Sequence, residues 1–220
     1  MMTRNIVATL ILILSINVVF SQNITDKNGL KQGKWSNQYE SGRLQYKGEF
    51  KDGIEVGLFT FYYHSGEVKA TKEFFHHGKA AATHIYYPKG TLQSSGLYVE
   101  TLKDSTWNYY NEEETLILSE QYLKGSLHGK TKTFFESGNV YEIKKWKNGK
   151  ENGAWIQYYS DGTVQMKSSY DNGVLNGEYV FYNYNGTIDI RGFYKNGLKI
   201  GEWKFFDEKG ILDTTITHNE

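Results

Sequence analysis

Residues 147–170 read KNGKENGAWIQYYSDGTVQMKSSY. Two short turn signals, Asn148-Gly149 and Asp161-Gly162, divide this stretch. Asn, Asp and Gly tolerate positive φ, which a two-residue hairpin loop of type I′ demands at both central positions. The residues between the signals are rich in aromatic and β-branched side chains, as half-buried strands are. The stretch is therefore expected to be a β-hairpin, with the chain reversing about every twelve residues.

Working outward, the same pattern recurs without gaps from Lys27 to His218. Eight 24-residue units cover 27–50, 51–74, 75–98, 99–122, 123–146, 147–170, 171–194 and 195–218. Numbering each unit from its first residue, the eighteenth position is aliphatic in all eight: Leu44, Val68, Leu92, Leu116, Val140, Val164, Ile188 and Leu212. Glycine closes the turn at the third position of most units, as Gly29, Gly53, Gly149, Gly173 and Gly197. A fixed period of this length marks an array in which each unit buries its apolar surface only by stacking on its neighbours. The expected fold is all-β: an elongated antiparallel β-meander or solenoid of eight hairpin repeats, forming a mostly single-layer twisted sheet. Sixteen strands spaced about 4.8 Å apart extend over roughly 75–80 Å, and a sheet that wide must twist or curl.

Pairing across a two-residue turn at positions 15–16 sets position 13 against 18, 11 against 20 and 9 against 22, and the turn at 2–3 sets 24 against 5 and 22 against 7. One face then gathers the ninth position, including Trp35, Trp107, Trp155 and Trp203, with the thirteenth, eighteenth and twenty-fourth. Trp35 and Tyr179 are expected opposite Gly48 and Gly192, where a ring can cover bare strand backbone. The recurring seventh-position glycine, as in Gly57, is expected to end pairing or seat a bulge. Gln38, Asp207 and His218 replace aromatic rings in the first and last units, which read as caps.

Opposite the Trp stripe, parity places a second aromatic row at the twelfth position: Tyr62, Tyr86, Tyr110, Phe134, Tyr158, Tyr182 and Phe206. Aligned rings on a protein exterior mark interaction sites, so this row is the candidate binding strip. The competing interpretation is that curling buries both faces, or that a bulge carries these rings into the core.

The N-terminus has the layout of a secretory signal peptide over residues 1–21. Arg4 provides the positive charge, Ile6 to Phe20 an uncharged apolar run, and Val19 and Ser21 small or modest residues before cleavage near Ser21–Gln22. The run is shorter than the roughly 20 residues of a spanning helix, which favours cleavage over anchoring. Residues 22–26 are then a short lead-in and 219–220 a tail. The expected localisation is exported: periplasmic, secreted or at the cell surface. With no Cys, stability has to come from packing and strand pairing. Asn23-Ile24-Thr25 and Asn185-Gly186-Thr187 match the glycosylation pattern, which matters only in a eukaryotic secretory route.

These units resemble the MORN repeat, particularly its bacterial variant with a Gly-x-Trp-x-x-Tyr strand. The resemblance rests on Gly153, Trp155, Tyr158, Gly162, Val164 and Tyr170, with the turn Asn148-Gly149, and on its repetition over almost the whole array. It implies hairpin arrays acting as scaffolds or interaction modules, with lipid binding proposed for some members and an antitoxin label on some bacterial relatives. The third and fourth units depart from the pattern at His77, Ala81, Thr101, Ser105 and Glu114. Such departures fit either drift in a tolerant array or a local kink or contact region between Phe75 and Tyr122.

Chemistry is sparse. No Gly-x-Ser-x-Gly elbow, phosphate-binding Gly-x-x-x-x-Gly-Lys or His-Glu-x-x-His occurs. His76-His77 sits on a turn, and Glu112-Glu113-Glu114 has the character of a solvated loop. No catalytic, cofactor-binding or metal-binding residues are assigned, and no cofactor is expected. Basic and acidic residues balance at 25 each, which argues against nucleic acid as a partner and against binding driven mainly by anionic lipid. The expected function is a non-enzymatic scaffold binding a protein partner. The alternatives are a glycan- or cell-wall-binding module using the aromatic row, then membrane-lipid association or antitoxin-like partner binding.

Overall fold

The computed structural model describes residues 23–219. The expected signal peptide and its cleavage point lie outside the described residues. Within them every regular element is a strand, and consecutive strands pair antiparallel in chain order, from Lys31–Gln38 and Leu44–Lys51 to Leu198–Phe206 and Leu212–His218. The architecture is thus the antiparallel meander of hairpins expected from the period. Two details add to it. The lead-in contributes a short strand, Ile24–Thr25, on the outer edge of Lys31–Gln38, and the first strand of the seventh unit is interrupted at Asn176, between Val174–Leu175 and Gly177–Tyr182.

Two kinds of turn alternate along most of the array. At Asp52-Gly53 both residues have positive φ, 53° and 78°, and so do both at Asn148-Gly149, at 52° and 78°. These are the expected two-residue loops. The second turn is not of that kind. Tyr159 N–H donates to Thr163 O and Gly162 N–H to Tyr159 O, at 2.8 and 2.9 Å, closing a three-residue loop in which Gly162 alone is left-handed. This is a tight turn followed by a left-handed residue, the usual three-residue hairpin. Asn28-Gly29 also turns this way, with Gly29 alone left-handed.

The extra loop residue resets the local register. Position 18 lies across from position 12, not 13, in every unit: Tyr62 faces Val68, Tyr158 faces Val164 and Phe206 faces Leu212. Further from the turn the expected pairs hold, with Trp35 opposite Gly48 and Tyr179 opposite Gly192. The rings covering those glycines come from elsewhere, however. A Cβ on Gly48 would fall on the ring of Phe59, and one on Gly192 on the ring of Trp203, each supplied by the following unit.

That reach between units depends on the seventh position. Between Glu49↔Val56 and Lys47↔Thr60 the register advances by two residues, and Gly57, with φ 63°, sits in the resulting bulge. An advance of two leaves side-chain parity unchanged, so the ring stripe stays on one face while each ring shifts over its neighbour. In the third unit Ala81 occupies this site and the bulge is absent. Pairing runs unbroken from Phe75↔Ala80 to Ala70↔Ile85, and the extra residues are taken up in the turn instead, where His76, His77 and Gly78 are all left-handed. In the fourth unit Glu100, Thr101, Ser105 and Glu114 adopt the left-handed backbone that Asn, Asp and Gly adopt elsewhere. The backbone therefore keeps the repeat conformation in the fourth unit and changes its turn in the third.

The stripe face forms the core. Phe59, Trp107 and Trp203 are only 1–2 % exposed. Trp107 meets Tyr98 edge-on at 4.9 Å and Trp203 meets Tyr194 at 5.1 Å, the edge-to-face arrangement that ring quadrupoles favour. The array ends differ from each other. Asn23 exchanges hydrogen bonds with the Ser36 backbone along the first edge, whereas Leu212 and Ile216 on the last strand, and Ile211 just before it, are exposed. His218 fills the aromatic slot of the last unit by packing edge-on to Trp203.

Candidate functional site

The candidate strip is laid down by the three-residue turn. Because position 12 pairs with position 18, each ring has an aliphatic neighbour directly across: Tyr62 with Val68, Tyr86 with Leu92, Tyr110 with Leu116, Phe134 with Val140, Tyr158 with Val164, Tyr182 with Ile188, and Phe206 with Leu212. Directly opposed residues share a face, so the row is a composite of ring and aliphatic side chains running strand after strand. Successive rings are two strands, about 9–10 Å, apart. All seven rings are half-buried. Lysines from the preceding unit lie over two of them, Lys47 at 5.8 Å from the Tyr62 centroid and Lys167 at 5.8 Å from that of Tyr182.

The neighbouring thirteenth position has a part that sequence inspection did not reveal. The hydroxyls of Tyr39, Tyr63, Tyr87 and Tyr159 donate to the backbone carbonyls of Tyr62, Tyr86, Tyr110 and Tyr182, at 2.7, 2.7, 2.9 and 2.7 Å. Each staples one unit to the next through the residue that bears a strip ring. The signal was available: Tyr at 13 precedes an aromatic at 12 of the next unit, 23 residues on. Phe135 has no hydroxyl to do the same.

On the stripe face the fourth to sixth units carry a polar band. Tyr122 donates to Glu120 Oε2 at 2.7 Å, and Lys103 Nζ lies 2.6 Å from the Tyr109 hydroxyl. Burial, with Glu120 nearby, pushes the Tyr109 phenol far up and that of Tyr122 to about 12. Trp155 Nε1–H and Gln157 Nε2–H donate to Glu142 Oε2 at 2.7 and 3.0 Å. These carboxylates are occupied by donors of their own sheet. Glu112 pairs with Lys89 at 2.6 Å, and Glu114 accepts from Leu92 N–H at 3.3 Å, so the acidic run ties neighbouring turns together. His76 and His77 are exposed on their turn. Among the described residues no group of three or more His, Cys, Asp or Glu is placed to hold a metal ion, and no helix is long and apolar enough to cross a membrane.

A family model described as the MORN repeat variant matches residues 31–52, 127–148, 151–172 and 175–196. All four segments begin at the fifth position of a unit, in the phase of the 24-residue period. The matched segments lie in the first, fifth, sixth and seventh units. No curated protein matches the chain. The protein is a β-hairpin repeat array, four segments of which match the MORN repeat variant, an architecture suited to a scaffold.

Proposed function

We propose that this protein is an exported, non-catalytic scaffold that binds an elongated protein partner along the twelfth-position strip. The observation behind this is the unbroken row of seven half-buried rings, each backed by an aliphatic residue, from Tyr62 to Phe206. A row of that kind offers repeated apolar contact at fixed spacing, suited to an extended segment. Aromatic side chains are also the residues that most often dominate interface energetics. Export rests on the charge and apolar pattern of residues 1–21.

The test uses the full chain and a Tyr158→Ser, Tyr182→Ser, Phe206→Ser variant, both checked for β-sheet circular dichroism and cooperative melting. Crosslinking to an envelope extract should yield one stoichiometric protein with the parent and none with the variant. Retention of purified wall polysaccharide, without such a protein, would establish the glycan-binding alternative instead. Export is read separately: the protein recovered from outside the cytoplasm should begin at Gln22.

A further inference from the structure

The repeat is its own control for unusual pairings, and one position fails it. In the fifth unit Lys130 pairs directly with Lys145, and at the adjoining turn Lys147 pairs with Lys150. Like charges directly opposed across a sheet are destabilising. The equivalent of the first pair is Lys34 with Glu49 in the first unit, Thr106 with Gln121 in the fourth and Ala154 with Ser169 in the sixth. The equivalent of the second is Lys51 with Ile54, Asp171 with Val174 and Lys195 with Leu198. Two cation–cation pairs thus occur side by side where other units place opposite charge or neutral groups. Residues 124–150 hold seven lysines and two acids in a chain that is neutral overall.

Lys130, Lys145 and Lys147 line a hollow of about 340 Å³ with Gln121, His128 and Asn152. Lys130, Lys145, Lys147 and Lys150 are exposed, and none has a carboxylate within ion-pair distance among the described residues. The lining residue Asn152 donates from Nδ2 to Asp171 Oδ1 at 3.3 Å, and that oxygen also accepts from Asn172 Nδ2 at 2.9 Å. Gln121 Oε1 accepts the Lys130 backbone N–H at 2.7 Å. The His128 Nδ1 is buried without a partner.

We infer that this hollow binds a phosphate-bearing ligand, a diphosphate group being the best match. Opposed residues on one face have Cβ atoms about 4.5–5.5 Å apart, so the paired ammonium groups can converge on one compact anion. A phosphate monoester carries close to two negative charges, enough to neutralise one opposed pair, where a carboxylate carries one. Lys147, the third lysine of the lining, and its strand partner Lys150 stand beside that pair, so a second linked phosphate meets cations of its own. Lysine supplies mobile point charges with rotatable donors, and the amides of Gln121 and Asn152 lie at the wall.

Inorganic pyrophosphate is the probe, with the full chain in low-salt buffer. Thermal melting should rise by about 5 °C at a large excess over Kd. Lys145→Glu restores the charge pattern of Lys34 and Glu49. It should raise the melting temperature without ligand and abolish the pyrophosphate response. Lys130→Gln should weaken the response in the same direction, and Lys209→Glu, in the last turn, should leave it unchanged. No response from the parent chain overturns the inference. So does a response equal in Lys145→Glu, or one matched by chloride at the same ionic strength. Cosedimentation with phosphatidic-acid vesicles without a pyrophosphate response also overturns it, in favour of a membrane surface.

Discussion

Trp107 lies flat against the backbone of Gly96, so that a Cβ on Gly96 would fall within the indole ring. Gly96 belongs to the third unit and Trp107 to the fourth. The indole N–H donates to Leu97 O at 3.0 Å, anchoring the ring to the strand it covers. The same relation joins Gly48 to Phe59 and Gly192 to Trp203. At Lys72 and Glu120 the residue across is the small Thr83 and Thr131, whereas Lys144 faces Trp155 and lays its ammonium 5.3 Å from the ring centroid.

Gly96→Ala is therefore expected to destabilise the array by about 1–3 kcal/mol through overpacking. Gly96→Ala combined with Trp107→Thr should lose less than the sum of the single changes, since Thr occupies this site over bulky neighbours elsewhere. A double-mutant cycle in urea measures the coupling. Additive losses would show that the two residues do not compete for the same space.

Phe135 is placed where four other units donate a tyrosine hydroxyl to the next unit. Phe135→Tyr should add a hydrogen bond to the Tyr158 carbonyl and stabilise the junction of the fifth and sixth units by about 0.5–1.5 kcal/mol. Tyr63→Phe should cost a similar amount. Amide exchange is the appropriate readout, because stability in arrays varies along the chain. A change confined to the junction concerned is the expected pattern.

Thr101 holds φ at 69° as the second residue of a two-residue turn, a conformation that opposes a β-branched side chain. Thr101→Gly should stabilise the fourth unit by about 1 kcal/mol, less the entropy cost that glycine adds to the unfolded chain. Equilibrium urea melts check the sign. A loss of stability would mean that the Thr101 side chain makes a compensating contact.

Alkaline pH should weaken the fold through the buried phenols. Burial and Glu120 raise the Tyr122 phenol to about 12, against about 10 unfolded. The folded state thus favours the neutral phenol. The resulting stability is fully present below about pH 10 and is lost as pH rises through about 12. Phenolate absorbance should show a late-titrating class of tyrosines. Tyr122→Phe should remove part of both the late class and the alkaline loss.

Much of the fold was legible because Asn148-Gly149 and its equivalents specify where the chain reverses, and parity then assigns strand residues to a face, except the eighteenth position, expected on the ring-stripe face but placed beside the twelfth. The second turn was less legible. Asp161-Gly162 resembles a two-residue loop, but of the two only Gly162 has positive φ. A dipeptide cannot distinguish two loop residues from three, since the choice rests on which backbone groups hydrogen-bond across it. That one residue moved the partner of position 18 from position 13 to the strip rings at position 12. The Lys130 and Lys145 pair was open to prediction from the same parity rule, since both lie away from the altered turn.

The sequence by itself determined the 24-residue period, the order of hairpins and the separation of the ring stripe from the strip, because turn chemistry and two-residue alternation act over short range. Tertiary structure alone decided which unit's ring covers Gly48, Gly96 and Gly192, which carbonyl each position-13 tyrosine reaches, and where the third unit places its extra residues. Those outcomes depend on the two-residue register advance between neighbouring strands. It changes no side chain's face, so the alternation pattern carries no trace of it.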